Sequence, residues 1–101
     1  GDDHCRHAAI IVEGPFDVLR IGPGAVALLG LNYSHAQIKR LGQFPVRVVC
    51  LDSESVAQRR AYRLTRTLSA FPGTTYNVIL DSKDPGAASD REIRLLRRYL
   101  S

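Results

Sequence analysis

Four short apolar runs, Ala8–Val12, Ala25–Leu29, Val46–Leu51 and Tyr76–Leu80, alternate with helix-start signals along the chain. Runs of this length suit buried strands, and strands separated by helical stretches point to βαβ units and a mostly parallel sheet covered by helices. Three of the four runs stop on a carboxylate, at Glu13, Asp52 and Asp81. Open α/β sheets bind their ligands at the carboxyl ends of the strands. The acids therefore look aimed at one edge of the fold, and a metal ion is the natural reason for gathering them there.

The helix signals are equally local. Gly14-Pro15 opens a first short helix, with Pro15 at its first position and Asp17 in its first turn, and Gly22-Pro23-Gly24 stops it. Ser34 and Gln37 form a capping box for a second helix that carries Ile38 and Leu41 and closes at Gly42. In the third, Ala57, Ala61, Leu64, Leu68 and Phe71 fall within about 80° of one another, so that stripe faces the sheet while Arg59, Arg63 and Arg66 project away, and Pro72-Gly73 ends it. Ser89 and Glu92 cap a last helix with an Ile93, Leu96, Leu100 stripe and Arg91, Arg94, Arg97 and Arg98 around it.

With 101 residues and 45% hydrophobic content, the chain has the material for one core and no second substrate domain. We expect a single domain over residues 8–101, and residues 1–7 read as a disordered tail or an expression remnant. The apolar runs are far short of a bilayer span, so a soluble, cytoplasmic protein without membrane contact is expected. Cys50 lies in a strand and Cys5 in the tail, and both read as free thiols. His4, Cys5 and His7 are zinc-ligand residue types without a fourth partner, and no role is assigned to them.

The net charge is +4, yet Glu13, Asp17, Asp52, Glu54, Asp81 and Asp84 all fall at or just after strand ends. Setting these six aside leaves four acids against 14 Lys and Arg, a surface balance that suits a polyanion such as nucleic acid. The bland alternative is a basic, well-solvated surface.

Glu13-Gly14-Pro15-Phe16-Asp17 places one acid at a strand end and a second about one helical turn later, where both can face one crevice. Asp52-Ser53-Glu54 places two acids at the next such end, and Asp81-Ser82-Lys83-Asp84-Pro85-Gly86 adds further acids and a lysine in one loop. Hard cations such as Mg²⁺ take oxygen ligands and keep several waters, so a few carboxylates suffice.

Glu-Gly-x-x-Asp after a strand, an Asp-x-Asp-like pair after a later one, and Lys-Asp-Pro after another together resemble the Toprim domain, and the Lys-Asp-Pro form is similar to that of bacterial and phage DNA primases. Val26–Gly30 and Gln37–Leu41 resemble the intervening segments, so the likeness runs from about Ala8 to the end. It implies a compact Toprim-type, Rossmann-like α/β domain with a four-stranded sheet flanked by helices. It also implies the catalytic module of a primase-like nucleotidyltransferase, dependent on Mg²⁺ or Mn²⁺ and working on DNA or RNA with nucleoside triphosphates, beside other domains of a larger protein. Carried onto this chain, Glu13 is the general acid or base and a metal neighbour, Asp52 and Glu54 hold the metal, Asp17 and Asp84 support it, and Lys83 meets a phosphate oxygen.

This sequence departs from the pattern at Glu54, where an aspartate is usual, at Ser55-Val56-Ala57, where Arg-Ala-Gly often stands, and at Gly86, where an acid is common. Two other functions fit the same acids: a Toprim nuclease of the OLD or RNase M5-like type, and a catalytically degenerate module that binds nucleic acid or a partner. Plainer structural roles also fit: Asp52 as a helix cap, Asp17 and Glu54 as first-turn acids, Asp81 and Asp84 as turn formers, and Lys83 as an exposed lysine.

Overall fold

Ala8–Val12 is apolar throughout and buried at every position, as a strand covered on both faces must be. In the computed structural model, which describes residues 8–27, 34–82 and 85–100, it forms β1 at the centre of a parallel sheet. The other strands are β2 (Ala25–Ala27), β3 (Val46–Val49) and β4 (Thr74–Asn77), in the order β2-β1-β3-β4. Ile10 pairs with Ala25 on one side of β1 and with Val48 on the other, and Val48 pairs with Tyr76.

Four α-helices cover the sheet: α1 (Pro15–Ile21), α2 (His35–Gly42), α3 (Ser55–Leu68) and α4 (Asp90–Arg97). Alternation along the strands splits the core in two. Ala8, Ile10, Val12, Val48 and Cys50 pack with Ile21 of α1 and Ile93 and Leu96 of α4, while Ile11, Val49 and Leu51 pack with Leu41 of α2 and the Ala57, Ala61, Leu64, Leu68 stripe of α3. This is the doubly wound α/β architecture expected, with helices on both faces of a four-stranded sheet. The predicted helix starts hold: α1 begins at Pro15, Ser34 and Gln37 exchange both capping hydrogen bonds, and Ser89 and Glu92 do the same.

Three boundaries differ. The third strand ends at Val49 rather than Leu51, although Cys50 N–H still donates to Ile11 O. The fourth spans Thr74–Asn77 rather than Tyr76–Leu80. Val78 N–H still bonds to Val49 O beyond the strand, and Val78 and Leu80 pack on the α1–α4 core. Helix α3 stops at Leu68, so Phe71 is not on its stripe; its half-buried ring lies against Gly42, where an added Cβ would come 2.4 Å from it. The tail with His4, Cys5 and His7, the end of the second apolar run at Leu28-Leu29-Gly30, and the Lys83-Asp84 pair lie outside the described residues.

Candidate functional site

The chain leaves β1 toward β2 on one side and β3 toward β4 on the other, so the strand order reverses between β1 and β3. The crevice outside the carboxyl ends of two such strands is the customary ligand position in open α/β sheets. Glu13 directly follows β1, and Asp52-Ser53-Glu54 follows β3 and leads into α3. Two of the three sequence motifs are thus side by side because their strands are neighbours, a fact of the sheet order that no local pattern contains.

Glu13 follows Ile11 by two residues and falls on the α3 face of the sheet. There its Oε2 accepts a hydrogen bond of 2.7 Å from the Arg60 guanidinium, with both side chains roughly a quarter exposed. Its other oxygen, Oε1, is buried and has no hydrogen-bond partner among the described residues. Buried oxygens of that kind are uncommon, and a cation is one way to satisfy them. Asp52 is half-buried, and its carbonyl accepts from the Gln58 side chain at 2.7 Å. The residue that caps α3 is Glu54, which makes no side-chain capping bond, so the plainer assignment of Asp52 as the cap is not met. The oxygens of Glu13, Asp52 and Glu54 are a donor set suited to a hard divalent ion. Among the described residues, however, no three His, Cys, Asp or Glu side chains converge tightly enough to hold one without movement.

Asp17 is placed differently. It is 8% exposed; Oδ1 accepts from Gly86 N–H at 2.7 Å and Oδ2 from Gly14 N–H at 3.3 Å. The carboxylate thereby ties the first motif to the third. Asp81 is exposed, beyond the end of β4, and its N–H donates to Glu92.

Two residues that sequence reasoning did not single out for the site matter here. Arg60 sits at the edge of the α3 stripe, and only the pairing of a strand-end acid with the helix packed over it could have drawn attention to it. Glu92 was expected only as a cap, yet it also accepts from Asp81 N–H at 3.0 Å and from the Ser82 hydroxyl at 2.5 Å. The Ser82 hydroxyl and the Ser89 N–H hold its carboxyl down to a pKa of about 2. Asp17 thus holds Gly86, and Glu92 holds Asp81, Ser82 and Ser89. Cys50 is a free, buried thiol, and burial, reinforced by nearby acids, raises it to about 12. An open groove of about 560 Å³ lies between Val78–Leu80 and α4, and its lining includes neither Glu13 nor Asp52.

No protein-family model matches the chain, and no curated protein matches its sequence. Solved structures do. The zinc-binding and RNA polymerase domains of the Aquifex aeolicus primase superimpose with a TM-score of 0.79 at 23% identity, over 98% of this chain and 27% of that one. The primase fragment of the bacteriophage T7 primase-helicase protein gives 0.58 at 15% identity, over 93% and 41%, and a putative protein from Aquifex aeolicus gives 0.58 at 16%, over 96% and 81%. At these identities the likeness is one of fold. This chain spans about a quarter of the Aquifex primase chain. Among the described residues no helix is long and apolar enough to cross a membrane.

Proposed function

We propose that this chain is the metal-dependent catalytic module of a Toprim-type, primase-like nucleotidyltransferase, working within a larger protein on DNA or RNA with nucleoside triphosphates as the other substrate. The observation that carries the reading is that Glu13 follows β1 and Asp52-Ser53-Glu54 follows β3, neighbouring strands at the reversal point of the sheet. The fold likeness to two primase fragments supports it.

Glu13, Asp52 and Glu54 are the residues that would hold Mg²⁺ or Mn²⁺, with Asp17 and Asp84 supporting the metal or its waters. The ion would supply polarisation of a phosphate oxygen and stabilise charge on the reacting oxygens. Glu13 serves as the general acid or base. Asp17 and Glu92 position the loop that carries Lys83, whose ammonium meets a substrate phosphate, and the basic helix faces hold the polyanion.

Titration of Mn²⁺ into the folded protein, followed by paramagnetic broadening of amide NMR signals, tests the proposal. Broadening centred on residues 13, 52 and 54 is expected. Broadening confined to surface acids such as Asp90 would sink it and favour a module that binds without catalysis. One observation favours that second reading: Glu13 already has a cationic partner in Arg60.

A further inference from the structure

We infer that Arg60 is a built-in counter-cation of the strand-end site, whose charge competes with a divalent metal for Glu13 and lowers the metal's affinity there; this rests on the metal reading of the preceding section. Arg60 is the half-buried member of an otherwise exposed arginine set on α3: Arg59, Arg63 and Arg66 all face solvent. It alone of these reaches a carboxylate, and that carboxylate is the one at the end of the central strand. An exposed arginine that only solubilised the helix would not be drawn across the sheet edge to Glu13.

The geometry sets the two cations against each other. A guanidinium at 2.7 Å occupies one Glu13 oxygen, while the second oxygen is buried without a hydrogen-bond partner among the described residues. A divalent ion reaches Glu13 by taking the oxygen Arg60 now holds, which releases the guanidinium, or by binding Oε1 beside it, which sets two cations on one carboxylate. If Arg60 stayed beside a bound metal, repulsion between a unit charge and a divalent ion a few ångströms apart would weaken binding by roughly tenfold, even with near-aqueous screening. Both displacement and repulsion lower metal affinity, and both vanish when the charge is removed.

The test compares Mn²⁺ binding to the wild type, Arg60→Gln and Arg60→Lys, reading the dissociation constant by electron paramagnetic resonance of free Mn²⁺ and the location by amide broadening. The inference expects Arg60→Gln to bind about tenfold more tightly at Glu13, Arg60→Lys to stay near the wild type, and Glu13→Gln in the Arg60→Gln background to erase the gain. Equal affinity in wild type and Arg60→Gln, with broadening still centred on Glu13, would overturn the counter-cation role and leave the metal site standing. No broadening at Glu13 in either protein would overturn both. Weaker binding by Arg60→Gln would make Arg60 a residue that orients Glu13 for the metal, contrary to the inference. A measurement on the wild type alone guards against a variant that folds poorly: during Mg²⁺ titration the Arg60 side-chain NMR signals should shift with the same midpoint as the Glu13 amide. Arg60 signals that stay still while Glu13 shifts would equally overturn it.

Discussion

At the amino end of the sheet the Arg47 guanidinium is wholly buried and donates to five oxygens, those of Gly42, Phe44, Phe71, Pro72 and Thr75. At the carboxyl end, on the same face of the sheet, Glu13 is partly exposed, meets one arginine and leaves a buried oxygen without a hydrogen-bond partner among the described residues. The first is a closed account of polar groups: four of those partners are carbonyls at the end of α2 and in the turns before β3 and β4, which would otherwise be orphaned. The second is left incomplete. A buried polar network with every member satisfied rigidifies a fold. The contrast sets an end of the molecule that serves stability against the end to which the proposed function assigns binding.

The largest effect should come from Arg47→Ala, which leaves several buried carbonyls unpaired. A loss of about 4 kcal/mol is expected in urea unfolding, a large share of a small domain's stability. A loss under about 1 kcal/mol would mean that water reaches that end and the contrast is false. Gly73→Ala comes next. Gly73 has φ +106°, and a Cβ there would meet the Pro45 carbonyl oxygen at 2.3 Å, a backbone atom with little freedom to yield. About 3 kcal/mol of destabilisation is expected, without change in metal binding.

Acid sharpens the comparison at the carboxyl side. The Glu92 pKa is depressed from 4.5 to about 2, so its share of stability is present above pH 4.5 and is lost as pH falls toward 2. Melting temperature measured across that window should fall less steeply in Glu92→Gln than in the wild type; identical slopes would show that the 81–82 contacts add nothing. The smallest stability effect belongs to Glu13→Gln, within about 1 kcal/mol, because a partly exposed ion pair is worth little. The same variant should lose Mn²⁺ broadening at the strand end, together with turnover wherever the full-length protein can be assayed. A loss of several kcal/mol instead would make Glu13 a structural residue like Arg47.

Much of the fold was legible because its signals are local. Capping boxes at Ser34 and Ser89, Pro15 at a helix start and the Ala57, Ala61, Leu64, Leu68 stripe each need only a turn or two of chain to declare themselves. Tyr76–Leu80 misled because its apolar character serves two purposes, first as edge strand and then as packing against α4, and composition does not separate them. Phe71 matched the helical period by angle, but the chain had already turned to place its ring on Gly42. Arg47 was hidden inside an apolar run, since a lone arginine between valines reads as a solvent-facing strand position until its carbonyl partners are known.

The amino-acid order by itself determined that four strands alternate with helices, where the capped helices begin, which helix faces are apolar, and that Glu13 and Asp52 follow the first and third strands. Those follow from interactions among residues a few positions apart. Only the tertiary structure decided that β1 and β3 are neighbours, that Glu13 therefore lies beside the Asp52 turn, that Arg60 reaches Glu13 across 47 positions, and that Asp17 holds Gly86 across 69. Such contacts depend on the sheet order and on which helix covers which face, and those are set by the packing of the whole core rather than by any segment of it.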